Sequence, residues 1–139
     1  MKAKKFQNKY ILRLDKGEEI VKTIKKFCVD NDIKLASITG IGAADKLTIG
    51  LFETKTKKYI SKDFAGDFEI CPLVGNISTK ENVIYLHLHV NIADRKHNSY
   101  GGHLDKAVVS ATFEAIIDVI DGKIDRKYSE EIGLNLLEF

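Results

Sequence analysis

Apolar and polar positions alternate with a period of two over much of the chain, and one stretch breaks that rhythm. Ile20, Val21, Ile24, Phe27 and Cys28 recur with spacings of 1, 3, 3 and 1, while Lys22, Lys25 and Lys26 fall between them. That is the single apolar stripe of an amphipathic helix. The pattern predicts a helix from Glu18 to Asp30, ending near Asn31. Asp15 is the expected cap, with Glu18 and Glu19 at the positive end of the helix dipole.

The rest reads as strand and turn. Tyr10–Leu14 is a first strand, and Ile33–Thr39 alternates weakly. Gly40-Ile41-Gly42-Ala43-Ala44 groups small residues. A phosphate-binding reading of this glycine pair lacks the third glycine and the following helix of the dinucleotide fingerprint. A bulge or a close backbone approach is expected instead. Leu47–Phe52 continues as strand, the 54–58 stretch turns the chain, and Tyr59–Phe64 is another strand. Gly66–Thr79 carries the only proline, Pro72, which belongs at an edge or a bulge. A tight turn at Lys80-Glu81-Asn82 leads into Val83–Val90, paired back as a hairpin. Asn91–Ser99 is polar and reads as an exposed loop.

Ala107–Ile120 fits two patterns. Val109, Phe113, Ile116, Ile117 and Ile120 suit a helical stripe, yet the segment is rich in β-branched residues. Asp121-Gly122 follows at once, a type I′ hairpin signal, so strand is the choice. Lys123–Tyr128 is then the returning strand, Glu130–Gly133 a connector, and Leu134–Phe139 a terminal strand. The fold class is α+β: a central, largely antiparallel sheet of about seven or eight strands with one main helix packed on it.

Composition narrows this further. At 139 residues the chain fits one domain, residues 1–139, large enough to fold without a disulfide or a metal. The formal net charge of +2 is too small to argue for nucleic acid, and Lys2, Lys4 and Lys5 read as a solvated basic end. Cys28 and Cys71 are far apart and read as small buried hydrophobes. No apolar run follows the N-terminal lysines and none is long enough to span a membrane. A soluble protein in the reducing cytoplasm is expected.

The candidate chemistry lies in Val83–Val90 and in Gly101-Gly102-His103-Leu104. His87 and His89 are two apart in a strand pattern, so their side chains leave the same face. A hairpin or loop returning through Gly101-Gly102 would bring His103 to the same point. Three neutral imidazoles leave one coordination position open, the arrangement of a metal site that still holds water or a ligand. The competing view is of ordinary strand histidines. An all-nitrogen set favours zinc over magnesium or calcium, with nickel or copper able to replace it. Neutral imidazoles are required, so occupancy should fall below about pH 6.5. The fourth histidine, His97, reads as a solvent-facing loop residue and not a ligand. For a general acid or base the candidates are Glu69, between apolar Phe68 and Ile70, and Asp105, two residues beyond His103. Glu69 reads equally as a surface carboxylate or as a partner to a histidine N–H.

Gly40-Ile41-Gly42-Ala43, Phe68-Glu69-Ile70, Gly75-Asn76-Ile77, His87-Leu88-His89 and Gly101-Gly102-His103-Leu104, in this order and spacing, resemble the PPC (plants and prokaryotes conserved) domain. The likeness runs by motif from about Tyr10 to Thr112. It implies an α+β fold, assembly as a homotrimer, and a metal-binding unit on His87, His89 and His103. The sheet edges that an isolated chain would expose agree with assembly. In plants the domain is joined to AT-hooks in nuclear DNA-binding proteins. This sequence has no Arg-Gly-Arg-Pro core, so a free-standing prokaryotic-type member is expected, without direct minor-groove binding. Two function classes follow. One is a metal-binding homotrimeric module acting through a protein partner or a DNA-associated complex. The other is a metal-dependent enzyme acting on a small polar molecule at the three-histidine site.

Overall fold

The computed structural model describes residues 1–139. The elements are β1 (Lys2–Phe6), β2 (Lys9–Asp15), α1 (Ile20–Asp30), β3 (Ala36–Glu53), β4 (Lys58–Lys80), β5 (Val83–Ala93), β6 (Ser99–Val119), β7 (Arg126–Ser129) and β8 (Leu134–Leu137). Six strands form one antiparallel sheet in the order β1-β2-β6-β3-β4-β5, and β5 pairs again with β6. The last pairing closes β6, β3, β4 and β5 into a ring. β7 and β8 form a separate two-stranded ribbon. The α+β reading holds, with the strands divided between a six-stranded and a two-stranded sheet rather than gathered in one.

Strand alternation sorts the side chains into an inner and an outer face. On β5, Leu88, Val90 and Ile92 point inward and are buried, while His87 and His89 take the opposite face. Phe113, Leu73, Ile77 and Ile117 fill the interior from β6 and β4. Burying each such side chain contributes about 1.5–3 kcal/mol. α1 lies over β5 and β6 and buries Ile20, Ile24, Phe27 and Cys28, the stripe expected from the sequence. Phe27 meets Tyr10 edge-on, with ring centroids 5.1 Å apart.

Several local expectations are corrected. The helix cap is Glu19, not Asp15: its carboxylate accepts from the Val21 and Lys22 backbone N–H groups at 3.0 and 2.8 Å. Asp15 instead ends β2, and its backbone N–H donates to the Glu18 carboxylate at 2.7 Å. Lys2–Phe6 is an edge strand with every residue exposed; lacking an apolar face, it carries no alternation to read. Tyr59–Phe64 and Gly66–Thr79 are one strand, β4, and the polar loop shrinks to 94–98 because β5 runs on to Ala93 and β6 starts at Ser99. The choice of strand over helix for 107–120 holds up to Val119. The Asp121-Gly122 hairpin does not form. Both edges of β6 are already taken at that end, since Asp118 pairs with Lys9 of β2 and Ser37 of β3. The returning segment therefore pairs with β8.

The small-residue cluster is a bulge, as expected: β3 shifts register against β4 between Gly40 and Gly42 and against β6 between Gly42 and Ala44. A Cβ at Gly42 would collide with the Thr112 carbonyl oxygen, so the backbones of β3 and β6 approach too closely for a side chain. Pro72 sits at a second bulge, between Ile70 and Leu73.

Candidate metal centre

Three strands of the ring meet at the histidines. His89 on β5 lies directly opposite Val74 of β4 on one side and His103 of β6 on the other. His87 lies opposite Asn76. His103 is therefore carried by the returning strand of a β5–β6 hairpin, the first of the two expected routes, rather than by a loop. Leu104 beside it points inward and is buried, which turns His103 to the outer face with His87 and His89. The ring centroids are 5.1 Å apart for His87–His89, 5.4 Å for His87–His103 and 5.6 Å for His89–His103. One nitrogen from each lies within 4.8 Å of the others. Tetrahedral zinc would hold nitrogens about 3.3 Å apart, a contraction within reach of side-chain rotation.

The electrostatics favour neutral imidazoles. Burial pushes His87 down to about 4, helped by the positive charge of Arg126 and by His103 and His89. Burial also lowers His103, which Asp105 partly offsets. A neutral imidazole keeps the lone pair that a metal needs. The donor set thus fits a borderline-soft divalent ion with one position left for another ligand.

Two residues that sequence reasoning did not place at the site lie against it. The Tyr59 ring meets His103 edge-on at 6.1 Å, and its hydroxyl donates to the Asp105 carboxylate at 2.7 Å. Burial and that hydrogen bond hold the phenol protonated. Gly50 makes the arrangement possible, because a Cβ there would collide with the Tyr59 hydroxyl. Arg126, from β7, is the other. Its Nη2 donates to Asn76 Oδ1 at 2.7 Å, and Asn76 is the cross-strand partner of His87. An arginine in a short C-terminal ribbon gives no sequence signal of this proximity.

The remaining candidates lie elsewhere. Glu69 is exposed, opposite Ala93 and beyond the Pro72 bulge, and lines a cavity of about 370 Å³ with Ala43, Phe68, Arg95, His97 and Ser110. His97 is exposed in the 94–98 loop, outside the histidine cluster. A second cavity of about 290 Å³ is lined by Leu51, Ile60, Lys62, Phe64 and Tyr100.

Residues 1–121 match the family described as the Plants and Prokaryotes Conserved (PCC) domain. Among solved structures, the chain is similar to a "putative DNA-binding protein" from Bacteroides thetaiotaomicron, at 38% identity and a TM-score of 0.97 over 99% of this chain and 96% of that one. It is similar to a metal-containing protein from Archaeoglobus fulgidus, at 32% identity and a TM-score of 0.88 over 100% of both chains. It is also similar to a plant- and prokaryote-conserved (PPC) protein from Pyrococcus horikoshii, at 31% identity and a TM-score of 0.87 over 99% and 94%. No curated protein matches the sequence. The fold, the motif order and the match over most of its length together say that this chain belongs to the Plants and Prokaryotes Conserved domain family.

Proposed function

We propose that this chain is a homotrimeric zinc-binding module that acts through other macromolecules, in regulatory or DNA-associated complexes. The observation that carries the metal reading is the convergence of His87, His89 and His103 from a single chain. The Archaeoglobus fulgidus relative is itself called metal-containing, and the Bacteroides thetaiotaomicron relative is called a "putative DNA-binding protein", which is the support for the wider setting. No helix is long and apolar enough to cross a membrane. Both cysteines are free, Cys28 buried as expected and Cys71 exposed rather than buried, and free thiols accord with a reducing cytoplasm.

Assembly is supported by the outer face. Ile11 of β2 lies opposite Ile116 of β6, which lies opposite Thr39 of β3, then Val74 of β4, then His89. Ile11, Ile116 and Val74 are 41%, 42% and 45% exposed, and Ile41 beside them is 61% exposed. Exposed apolar side chains spaced across the sheet, interrupted by Thr39, are suited to burial against another subunit.

A metal-dependent enzyme is the second reading. The hydrogen-bonded Tyr59–Asp105 pair beside His103 favours it, since a phenol and a carboxylate could manage a proton there. An ion would supply Lewis acidity, and this chain's residues would orient the small polar molecule and hold its proton.

The test is metal quantification after dialysis. Wild type and His97→Ala should retain one equivalent of zinc; His87→Ala, His89→Ala and His103→Ala should lose it. A wild-type protein that takes up no zinc, nickel or copper would make the histidines structural.

A further inference from the structure

Arg126 is the only charged residue among the buried ones, at 8% exposure. Its Nε donates to Ser78 Oγ at 2.8 Å, its Nη1 to the Asn135 carbonyl at 2.9 Å, and its Nη2 to Asn76 Oδ1. Each acceptor is uncharged, and no carboxylate pairs with it. The guanidinium carbon lies 4.8 Å from the Tyr85 ring centroid. Ser78 faces Tyr85 and Asn76 faces His87 across β4 and β5, so the guanidinium sits one residue pair along the same face from His87.

A guanidinium removed from water costs free energy unless an anion is near. Here the protein supplies none. A guanidinium carries five N–H groups, so three bonds leave two free, one on each terminal nitrogen. Asp105, the carboxylate that acts on His103, already accepts from Tyr59. A divalent ion on the three imidazoles would place a second positive centre beside Arg126, with an open position.

We propose that this open position binds an oxyanion, a carboxylate or a phosphate group, and that Arg126 is the residue that matches its charge. The proposal rests on the metal reading. The ion would hold one oxygen, and the free N–H groups of Arg126 would reach a second, in the charge-assisted geometry that arginine favours. Through Ser78 and Asn76 of β4, Arg126 also fastens the β7–β8 ribbon, which lies beyond the residues matched by the family, to the sheet that carries the site. The ribbon would then serve to bring a cation to the site.

The experiment uses the full chain loaded with cobalt(II), whose visible spectrum reports its ligands, at constant ionic strength in a perchlorate medium. Sodium acetate and inorganic phosphate are titrated separately; the anion that saturates at the lower concentration identifies the class. A saturable spectral change is expected in wild type. In Arg126→Gln, with its fold checked by circular dichroism, the affinity should fall by at least about tenfold. Arg126→Lys should fall in between, keeping the charge without the fork. Cobalt bound with a spectrum indifferent to both anions overturns the proposal alone, and so does unchanged affinity in folded Arg126→Gln. Failure to take up cobalt sinks the metal reading and this proposal together. The wild-type titration decides even where Arg126→Gln does not fold.

Discussion

Acid should weaken the metal-free protein through His87, and the structure says by how much. An imidazole in the unfolded chain protonates near its ordinary value of 6.5, whereas in the fold His87 holds out to about 4. Burial is the largest cause, followed by the charge of Arg126. Between those values the unfolded state binds a proton that the native state refuses. The stabilisation is therefore complete above about pH 6.5 and is lost as the pH falls toward about 4. The gap corresponds to about 3.4 kcal/mol at 1.36 kcal/mol per unit. His87 is only part-buried, and solvent screening reduces this to about 1–2 kcal/mol. For a chain of this length that is about 3–8 °C in Tm. The assay is thermal unfolding of chelator-treated protein at about pH 7.5 and about pH 4.5, for wild type and for His87→Gln. Carboxylates titrate in the same range but contribute to both proteins, so the difference between the two pH drops isolates the imidazole. Wild type should lose more. Equal losses would mean that the fold does not hold His87 neutral, and would refute the reasoning.

Light scattering at micromolar concentration should give the mass of a trimer, and Ile116→Asp, which places a charge among the exposed apolar side chains of the sheet, should shift the mass toward monomer; a wild-type monomer would count decisively against assembly. Duplex DNA should not be bound tightly by this chain alone at physiological salt, because its net charge is +2 and a phosphate-gripping surface needs an excess of cations. Sub-micromolar binding in a shift assay at that salt would overturn this expectation.

What could be read in the sequence was whatever has a short period. The α1 stripe and the parity of His87 and His89 follow from 3.6- and 2-residue repeats, and both appear in place. His103 was legible only through its glycine pair. The route it takes is the hairpin the sequence allowed for, β5 turning through 94–98 into β6; the closure of the ring by the long β3 and β4 strands is what a local pattern does not encode. β1 was illegible because an edge strand with two wet faces has no alternation. The failed Asp121-Gly122 hairpin has the opposite cause: the turn signal is real, but β2 and β3 already occupy both edges of β6. Arg126 could not be foreseen, since its burial is decided by where an eight-strand topology lays a four-residue strand.

The same alternation that makes the histidines visible also separates them from the core. Leu88 and Val90 face inward while His87 and His89 face outward, so one strand serves packing and chemistry on opposite sides. The core joins 26 buried residues and includes none of the three histidines. A chain of this size closes such a core without help from an ion, unlike small domains whose metal binding free energy is their folding free energy. Chelation should therefore leave the far-ultraviolet circular dichroism unchanged and lower Tm only by the mass-action term for a lost ligand. Collapse of the spectrum on adding chelator would mean that the ion holds β5 and β6 together, a structural cross-link across the seam where the ring closes. An intact spectrum would mean that a bound ion is at the disposal of a ligand rather than of the fold, as the proposal for Arg126 requires.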